Sequence, residues 1–475
     1  MKLCPLWLSL VLVGWTGGDL PVWLEKQSAV SWNRLQGNIS RSDTAKGTVV
    51  AAQSRSKPDY YFHWTRDGGL VMDVLRQKYE ASTDTDFRRK ILEKFDDYVT
   101  LSSRHQSQNS MSGPAWGMGM AEPKYFVDGR PFDGRWGRPQ TDGPAIRATT
   151  LIQMVNVLAD GGISRRWYNS QMPSYSVIKA DLEFTAANWK QPSFDLWEEV
   201  LGDHFYTRMV QRKSLVLGSR LAAKLGDNGA AKFYAEQAKE IEKTLGDFWN
   251  PQDRLLEVSR NELSGVSYKD SRMDAAIVLA ALHGSLDDGL FAPWDSRVLL
   301  SLAKIADVFK NVYSINSVQV DRKGDYLAAA IGRYPEDKYD GQDSQDEANP
   351  WFLTTSGFAE ALFVALEHWK KIGVIPVDEN LVEFLSLLCP DFQPDCLDGK
   401  TQVLKTDPLF ALIEKMLLKK ADGFLNRVRM HAGAAGALSE QFNRYSGKQR
   451  GASELTWSHA ALLTAEMARA RASRP

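Results

Sequence analysis

TDPLFALIEKMLLKKADGFLNRVRM, residues 406–430, carries the rhythm that runs through most of this chain. Thr406-Asp407-Pro408 offers a cap and then a proline at the first helical position, where a missing N–H costs nothing. Leu409, Leu412, Ile413, Met416, Leu417, Phe424, Leu425 and Val428 then recur at spacings near three and four, the period of one helix face. A second such segment starts at Asn349-Pro350 and puts Phe352, Ala359, Leu362, Phe363, Leu366 and Trp369 on one stripe. A third starts at Asp142-Gly143-Pro144 and is expected to stop at Gly161-Gly162. Others lie near 67–79, 84–104, 203–225, 228–248, 273–284, 296–309 and 453–471. Roughly a dozen helices and hardly any alternating runs predict one all-α domain of paired helices with long connections. No Ser/Pro/Gly-rich linker and no short repeat interrupts it.

The bulk properties exclude more than they suggest. The chain has 475 residues, with 58 basic against 59 acidic and a net charge of −1. That balance gives no reason to expect nucleic acid or an anionic membrane as a partner. Hydrophobic residues make up 43% and charged residues 25%, an ordinary globular composition. The opening MKLCPLWLSLVLVGWTGG has a basic Lys2, an apolar run from Leu6 to Val13 and small residues at Thr16 and Gly18. It is too short to span a bilayer and reads as a secretory signal over 1–18, leaving 19–475 as one domain. Secretion would let Cys389 and Cys396, flanked by prolines, staple a surface loop; two free thiols are the alternative. It would also make Asn38-Ile39-Ser40 a glycosylation acceptor. The seven histidines are scattered, without HExxH or Cys/His spacing, so no metal site and no cofactor are expected. GxSxG and GxxxxGK[ST] are both missing, which argues against a serine hydrolase and a phosphate-binding loop.

The chemistry collects in the connections. PDYYFHWTRDGG (58–69) packs Tyr60, Trp64, Arg66 and Asp67 before a helix, and DGRWGRPQTDGP (133–144) holds Trp136 before another. FDLWEEV (194–200) sets Asp195, Glu198 and Glu199 around Trp197. Either it is a helix turn that shows its acids to water, or the indole raises the pKa of one glutamic acid so that it can donate a proton. GRYPEDKY (332–339) carries Arg333 and Asp337 and is followed by Trp351; GALSEQFN (436–443) holds Glu440 and Gln441; LTWSHAALL (455–463) holds Trp457. One end of a helical barrel would bring all of these to a single cleft. The composition suits sugars: indoles stack on pyranose C–H faces, Arg and Asp fix hydroxyls, and two carboxyl groups cut a glycosidic bond. The 15 tryptophans point weakly the same way.

PDYYFHWTRDGGL, GRWGRPQTDGPAIRAT, FDLWEEV, AIGRYPED, NPWFL, LSEQFN and LTWSHAALLTA stand in the order found in the fungal-type glucoamylases, glycoside hydrolase family fifteen, and the chain resembles that family from about Trp23 to about Ala465. The resemblance implies an (α/α)6 barrel. It implies a secreted, monomeric exo-hydrolase that releases glucose, with inversion, from the non-reducing ends of starch, glycogen and maltooligosaccharides. Glu198 would be the general acid and Glu440 the general base, about 6.5–9.5 Å apart to leave room for water. Trp197, Asp195 and Glu199 are expected to hold the Glu198 proton, while small residues around Glu440 would let water reach it and keep it charged. Arg66 and Asp67 would bind the terminal glucose, with Arg333 and Glu199 on either side of the scissile bond. Tyr60, Trp64, Trp136, Trp351 and Trp457 would line the pocket, and Asp337 and Gln441 would support it.

Two departures stand out. His63 falls where the family more often has a hydroxyl residue and is expected to tune the pocket or the pH profile. The 340–348 segment is longer and more acidic than the family pattern. No starch-binding module follows the last helix, which predicts weak action on raw granules. A relative acting on α-1,6-glucans would keep the same catalytic pair; a glucan-binding protein with dead chemistry would have lost it.

Overall fold

The computed structural model describes residues 19–158, 165–171, 176–342 and 347–474. The signal expected over 1–18 and the end of the third helix at Gly161-Gly162 lie outside these residues, as does the middle of the 340–348 segment. Thirteen α-helices lie among the described residues. Six close a ring: α2 (Thr65–Ala81) lies against α4 (Asp142–Val157), then α6 (Phe205–Lys224), α8 (Ala276–Gly284), α10 (Phe352–Ile372) and α13 (Thr456–Ala472), which returns to α2. Six more stand outside it: α1 (Leu20–Gly37), α3 (Thr85–Gln106), α5 (Val177–Asn188), α7 (Asn228–Leu245), α9 (Ser296–Val312) and α12 (Pro408–His431). This is an (α/α)6 barrel, with α11 (Glu379–Leu388) packed on α9 as an extra helix.

Sequence decides which ring a helix joins. A helix apolar all round must be buried, and α8 reads AIVLAALHG. In α4 every residue from Asp142 to Ile152 is buried. Outer α7 instead buries one stripe, Ala230, Ala231, Tyr234, Ala238, Ile241 and Leu245. Outer α12 follows the expected pattern: Asp407 caps it by accepting the Leu409 N–H at 2.9 Å, and Leu409, Ile413, Leu417, Phe424, Leu425 and Val428 are buried.

Three local readings are corrected. FDLWEEV is not a helix turn. Ser193–Phe194 pairs antiparallel with Val200–His204, so residues 195–199 are the tip of a β-hairpin. The Asn38 side chain is 1% exposed; its Nδ2 donates to Thr456 Oγ1 at 2.8 Å and its Oδ1 accepts from Gln53 at 3.0 Å. That amide is closed to a glycan in the folded chain. Cys389 is a buried free thiol, not bridged to Cys396. It ends α11 facing the core, where burial pushes the thiol up to about 11.

Candidate active site

Each inner helix is entered through a connection that brings polar or aromatic side chains to one mouth of the barrel. Residues 58–64 enter α2, 133–141 enter α4 and the 193–204 hairpin enters α6; 332–351 enter α10 and 436–455 enter α13. The connection into α8, residues 266–275, was not foreseen. Together they surround a cavity of about 290 Å³. It is lined by Glu198 and Glu440 and by Tyr60, Trp64, Arg66, Asp67, Trp136, Trp197, Glu199, Arg333, Trp351 and Trp457, all named from sequence. Tyr339, in a stretch quoted above but not singled out, lines it too.

Glu198 sits at the hairpin tip with φ of 68°, the left-handed region, which costs a non-glycine residue about 1–2 kcal/mol. The turn holds it there. Glu198 N–H donates to Asp195 O at 2.9 Å, and Asp195 Oδ1 accepts the N–H groups of Glu199 (2.7 Å) and Val200 (3.0 Å). Glu198 Oε1 accepts from Trp64 Nε1 at 2.9 Å and from Gln140 Nε2 at 3.0 Å. These are not the neighbours expected from sequence. The Trp197 Nε1–H turns instead to Asp274 Oδ1 at 2.8 Å. Asp195 and Glu199 are neutralised by cations rather than crowding Glu198 with charge: Lys269 lies 3.2 Å from Asp195 and 3.6 Å from Glu199, and Arg333 donates to Glu199 at 2.7 Å. Burial pulls the Lys269 pKa down, but Asp195, Asp274 and Glu199 outweigh it and the ammonium is held above its ordinary value.

Glu440 is fully buried, which corrects the expectation that water keeps it charged. The small residues nearby make room for the carboxyl rather than for solvent. Gly451, at φ +73°, lies so close that a Cβ there would come within 2.3 Å of Glu440 Oε2. Burial pushes the carboxyl up to about 7, against hydrogen bonds from Tyr60, the Ala452 N–H and Tyr339. Tyr339 Oη donates to Oε2 at 3.2 Å, the Ala452 N–H reaches the same oxygen at 3.3 Å, and Tyr60 Oη is 3.0 Å from Tyr339 Oη.

The remaining groups are held rigidly. Arg66 is 4% exposed and donates at 2.6 Å to both Asp142 Oδ2 and Gln140 Oε1. Beside it burial pushes Asp67 up to about 7, with Arg66 opposing. Arg333 is clamped by Asp337 at 2.8 and 2.6 Å, and Gln441 Oε1 accepts from Asn349 at 2.9 Å; Asp337 and Gln441 brace the site without lining it. The indole N–H groups of Trp136 and Trp351 have no hydrogen-bond partner among the described residues, although both rings line the cavity. His63 does not tune the pocket. Side chains alternate along a strand, so His63 faces away from Phe62 and Trp64. It accepts the Val49 N–H at 3.1 Å and is kept neutral by burial. Gln140, Lys269 and Asp274 were missed; Gln140 stood inside a quoted motif, whereas Lys269 and Asp274 stand in a stretch without its tryptophans.

A family model described as "Glycosyl hydrolases family 15" matches residues 27–467. The chain is 37% identical over 463 residues to a glucoamylase of Blastobotrys adeninivorans, covering 95% of this chain and 72% of that one. It is 36% identical over 452 residues to glucoamylase 1 of Rhizopus oryzae, covering 95% and 71%. Among solved structures, a glucoamylase from Saccharomycopsis fibuligera superimposes with a TM-score of 0.86 at 30% identity, covering 96% of each chain. A family 15 glucoamylase from Hypocrea jecorina gives 0.83 at 32% identity, covering 96% and 73%.

Proposed function

The chain belongs to the glycosyl hydrolases of family 15, and from that premise we propose that it is an exo-acting, inverting hydrolase releasing β-D-glucose from the non-reducing ends of α-1,4-glucans. Its substrates are starch, glycogen and maltooligosaccharides, with α-1,6 links cut more slowly. The relatives named glucoamylase support this substrate class. The N-terminal run of residues 1–18 supports secretion. The observation that carries the reading is one small cavity with two carboxyl groups in different surroundings, walled by tryptophan rings and the Arg66 and Arg333 guanidinium groups.

Glu198 is the general acid. Its Oε1 is committed to Trp64 and Gln140, so the proton rides on Oε2 and passes to the glycosidic oxygen as the bond breaks. The same two donors then stabilise the carboxylate left behind. Glu440 is the general base. The Ala452 N–H and the shorter Tyr339 contact (3.2 Å, against 3.5 Å to Oε1) favour Oε2, so Oε1 is the oxygen that takes the proton of the water attacking the anomeric carbon from the opposite face. Burial makes the Glu440 carboxylate a stronger base than one in water. Arg66 and Asp67 bind the hydroxyls of the terminal glucose and close the pocket behind it, which enforces exo-action. Arg333 and Glu199 bind on either side of the scissile bond, and Tyr60, Trp64, Trp136, Trp197, Trp351 and Trp457 wall the sugar. Chromatography of an early maltoheptaose digest checks this: glucose and maltohexaose are expected first, and early maltotriose with maltotetraose would contradict it.

Two variants test the supports. A Cβ on Gly137 would lie 2.6 Å from the Glu198 carbonyl oxygen, backbone that cannot rotate aside. Gly137→Ala therefore shifts the hairpin tip and lowers kcat at least tenfold, since about 1 Å of misplacement can cost ~10²-fold. Unchanged kcat would mean that the tip tolerates displacement. Tyr339 lowers the Glu440 pKa by donating to the carboxylate. Tyr339→Phe removes that donor, so the Glu440 pKa rises and the acid limb of kcat/KM moves to higher pH by about half a unit. A limb that stays put or moves down would remove Tyr339 from the base.

A further inference from the structure

Lys124 is a buried cation without an anion. It opens the Lys124–Phe126 strand opposite Trp64 and is 3% exposed. Among the described residues its ammonium has neither an ion pair nor a hydrogen-bonded acceptor. Four aromatic rings surround it instead: Nζ lies 3.7 Å from the centroid of Trp136, 4.0 Å from Phe62, 4.3 Å from Phe132 and 4.7 Å from Trp64. The rings brace one another, with Trp64 and Trp136 centroids 5.9 Å apart, Phe132 and Trp136 5.9 Å, and Phe62 and Phe132 5.3 Å. Two of the four, Trp64 and Trp136, are walls of the catalytic cavity, and Trp64 donates to Glu198.

Desolvating an unpaired ammonium is costly, and packing alone would favour an apolar side chain here. Cation–π attraction offsets part of that cost and is strongest on tryptophan. We propose that Lys124 is a positioning residue that clamps Trp64 and Trp136 from behind the pocket wall and so fixes the Trp64 N–H on Glu198. This rests on the role given above to Glu198. The charged groups acting on Lys124 are Glu198 on the hairpin, Asp59 before the Phe62–Trp64 strand and Arg138 in the 133–141 connection. Burial lowers the Lys124 pKa to about 8, with Glu198 and Asp59 opposing and Arg138 reinforcing. The ammonium is thus charged through the acidic and neutral range.

The test is a pair of variants on maltoheptaose. Lys124→Met keeps length and apolar packing and loses the charge; Lys124→Arg keeps the charge and its stacking on rings. Lys124→Met is expected to fold with an unchanged or higher Tm. Its kcat should fall about tenfold with KM within about threefold, because a displaced Trp64 misplaces the Glu198 carboxyl without removing sugar contacts. Lys124→Arg should restore most of kcat. A Lys124→Met enzyme with wild-type kcat would overturn the proposal, as would equal loss of kcat in both variants or a loss carried by KM instead of kcat. Should Lys124→Met fail to fold, Lys124→Gln supplies the same two readings. Inactive wild-type protein would instead contradict the functional reading itself.

Discussion

Glu440→Gln and Glu198→Gln each lower kcat on maltoheptaose by a factor of about 10³ or more, while the protein still binds the sugar within about tenfold of wild type. The two losses have different origins. At Glu198 the amide nitrogen has no acidic proton to give, and the leaving oxygen must depart as an alkoxide. An NH2 group turned toward Trp64 and Gln140 would face two donors, so the amide is held with its oxygen there and its nitrogen toward the substrate. Loss at Glu198 is therefore smallest on substrates whose leaving group needs no proton, such as α-glucosyl fluoride. At Glu440 the amide cannot take a proton from water, and the loss is the same whatever the leaving group. Kinetics on maltose and on α-glucosyl fluoride separate the roles: recovery on the fluoride by the Glu198 variant alone assigns the acid, and recovery by the Glu440 variant would reverse the assignment.

Arg147→Met destabilises the fold by about 3–5 kcal/mol, the usual cost of stripping one partner from a buried ion pair. Arg147 on α4 is 2% exposed and donates to both oxygens of Asp181 on α5, at 2.8 and 2.6 Å; Asp181 is 0% exposed. With the guanidinium gone, the only side-chain donor to that carboxylate among the described residues is Gln106 Nε2, at 2.8 Å. For a chain of this length that cost corresponds to a fall in Tm of roughly 3–5 °C in a two-state transition. The double variant Arg147→Met/Asp181→Leu recovers most of it, because no buried charge is then left unpaired. A Tm within about 1 °C of wild type for the single variant would mean that Asp181 finds water or a proton at little cost.

That pair also explains part of what the sequence hid. Helix α5 escaped notice because Lys179 and Asp181 interrupt its apolar face, yet both are buried. Helix α1 escaped for a similar reason. Its inward stripe runs Leu20, Leu24, Gln27, Ser31, Leu35, and the two polar members bond inside the protein, Gln27 to the Gly436 carbonyl and Ser31 with His459. Periodicity of apolar residues cannot see a stripe completed by satisfied polar groups. Helix α12 was legible because apolar residues alone already trace one face from Leu409 to Val428, although Asp422, Asn426 and Arg427 are buried beside them, and because its cap is an Asp-Pro step.

The cavity's composition was legible for a chemical reason: indoles, arginines and acids clustered before helices have few uses besides holding a polar ligand. Orientation was not. Nothing in FDLWEEV says that Glu198 stands on a hairpin tip in a left-handed conformation, or that its ring neighbour is Trp64 rather than Trp197. Nothing in GALSEQFN tells a glycine that admits water from one that closes over a carboxylate. His63 and Asn38 belong with these, since strand alternation and a long-range partner, Thr456, decide which way each points.

The central claim is that two carboxyl groups of one pocket work on opposite faces of the sugar with water between them. Proton NMR of the anomeric signals during the first minutes of maltoheptaose digestion tests it most directly. The account predicts that glucose appears as the β anomer and drifts to the α form only by slow mutarotation. Glucose released as the α anomer would mean retention, and would contradict the assignment of Glu198 as acid and Glu440 as base.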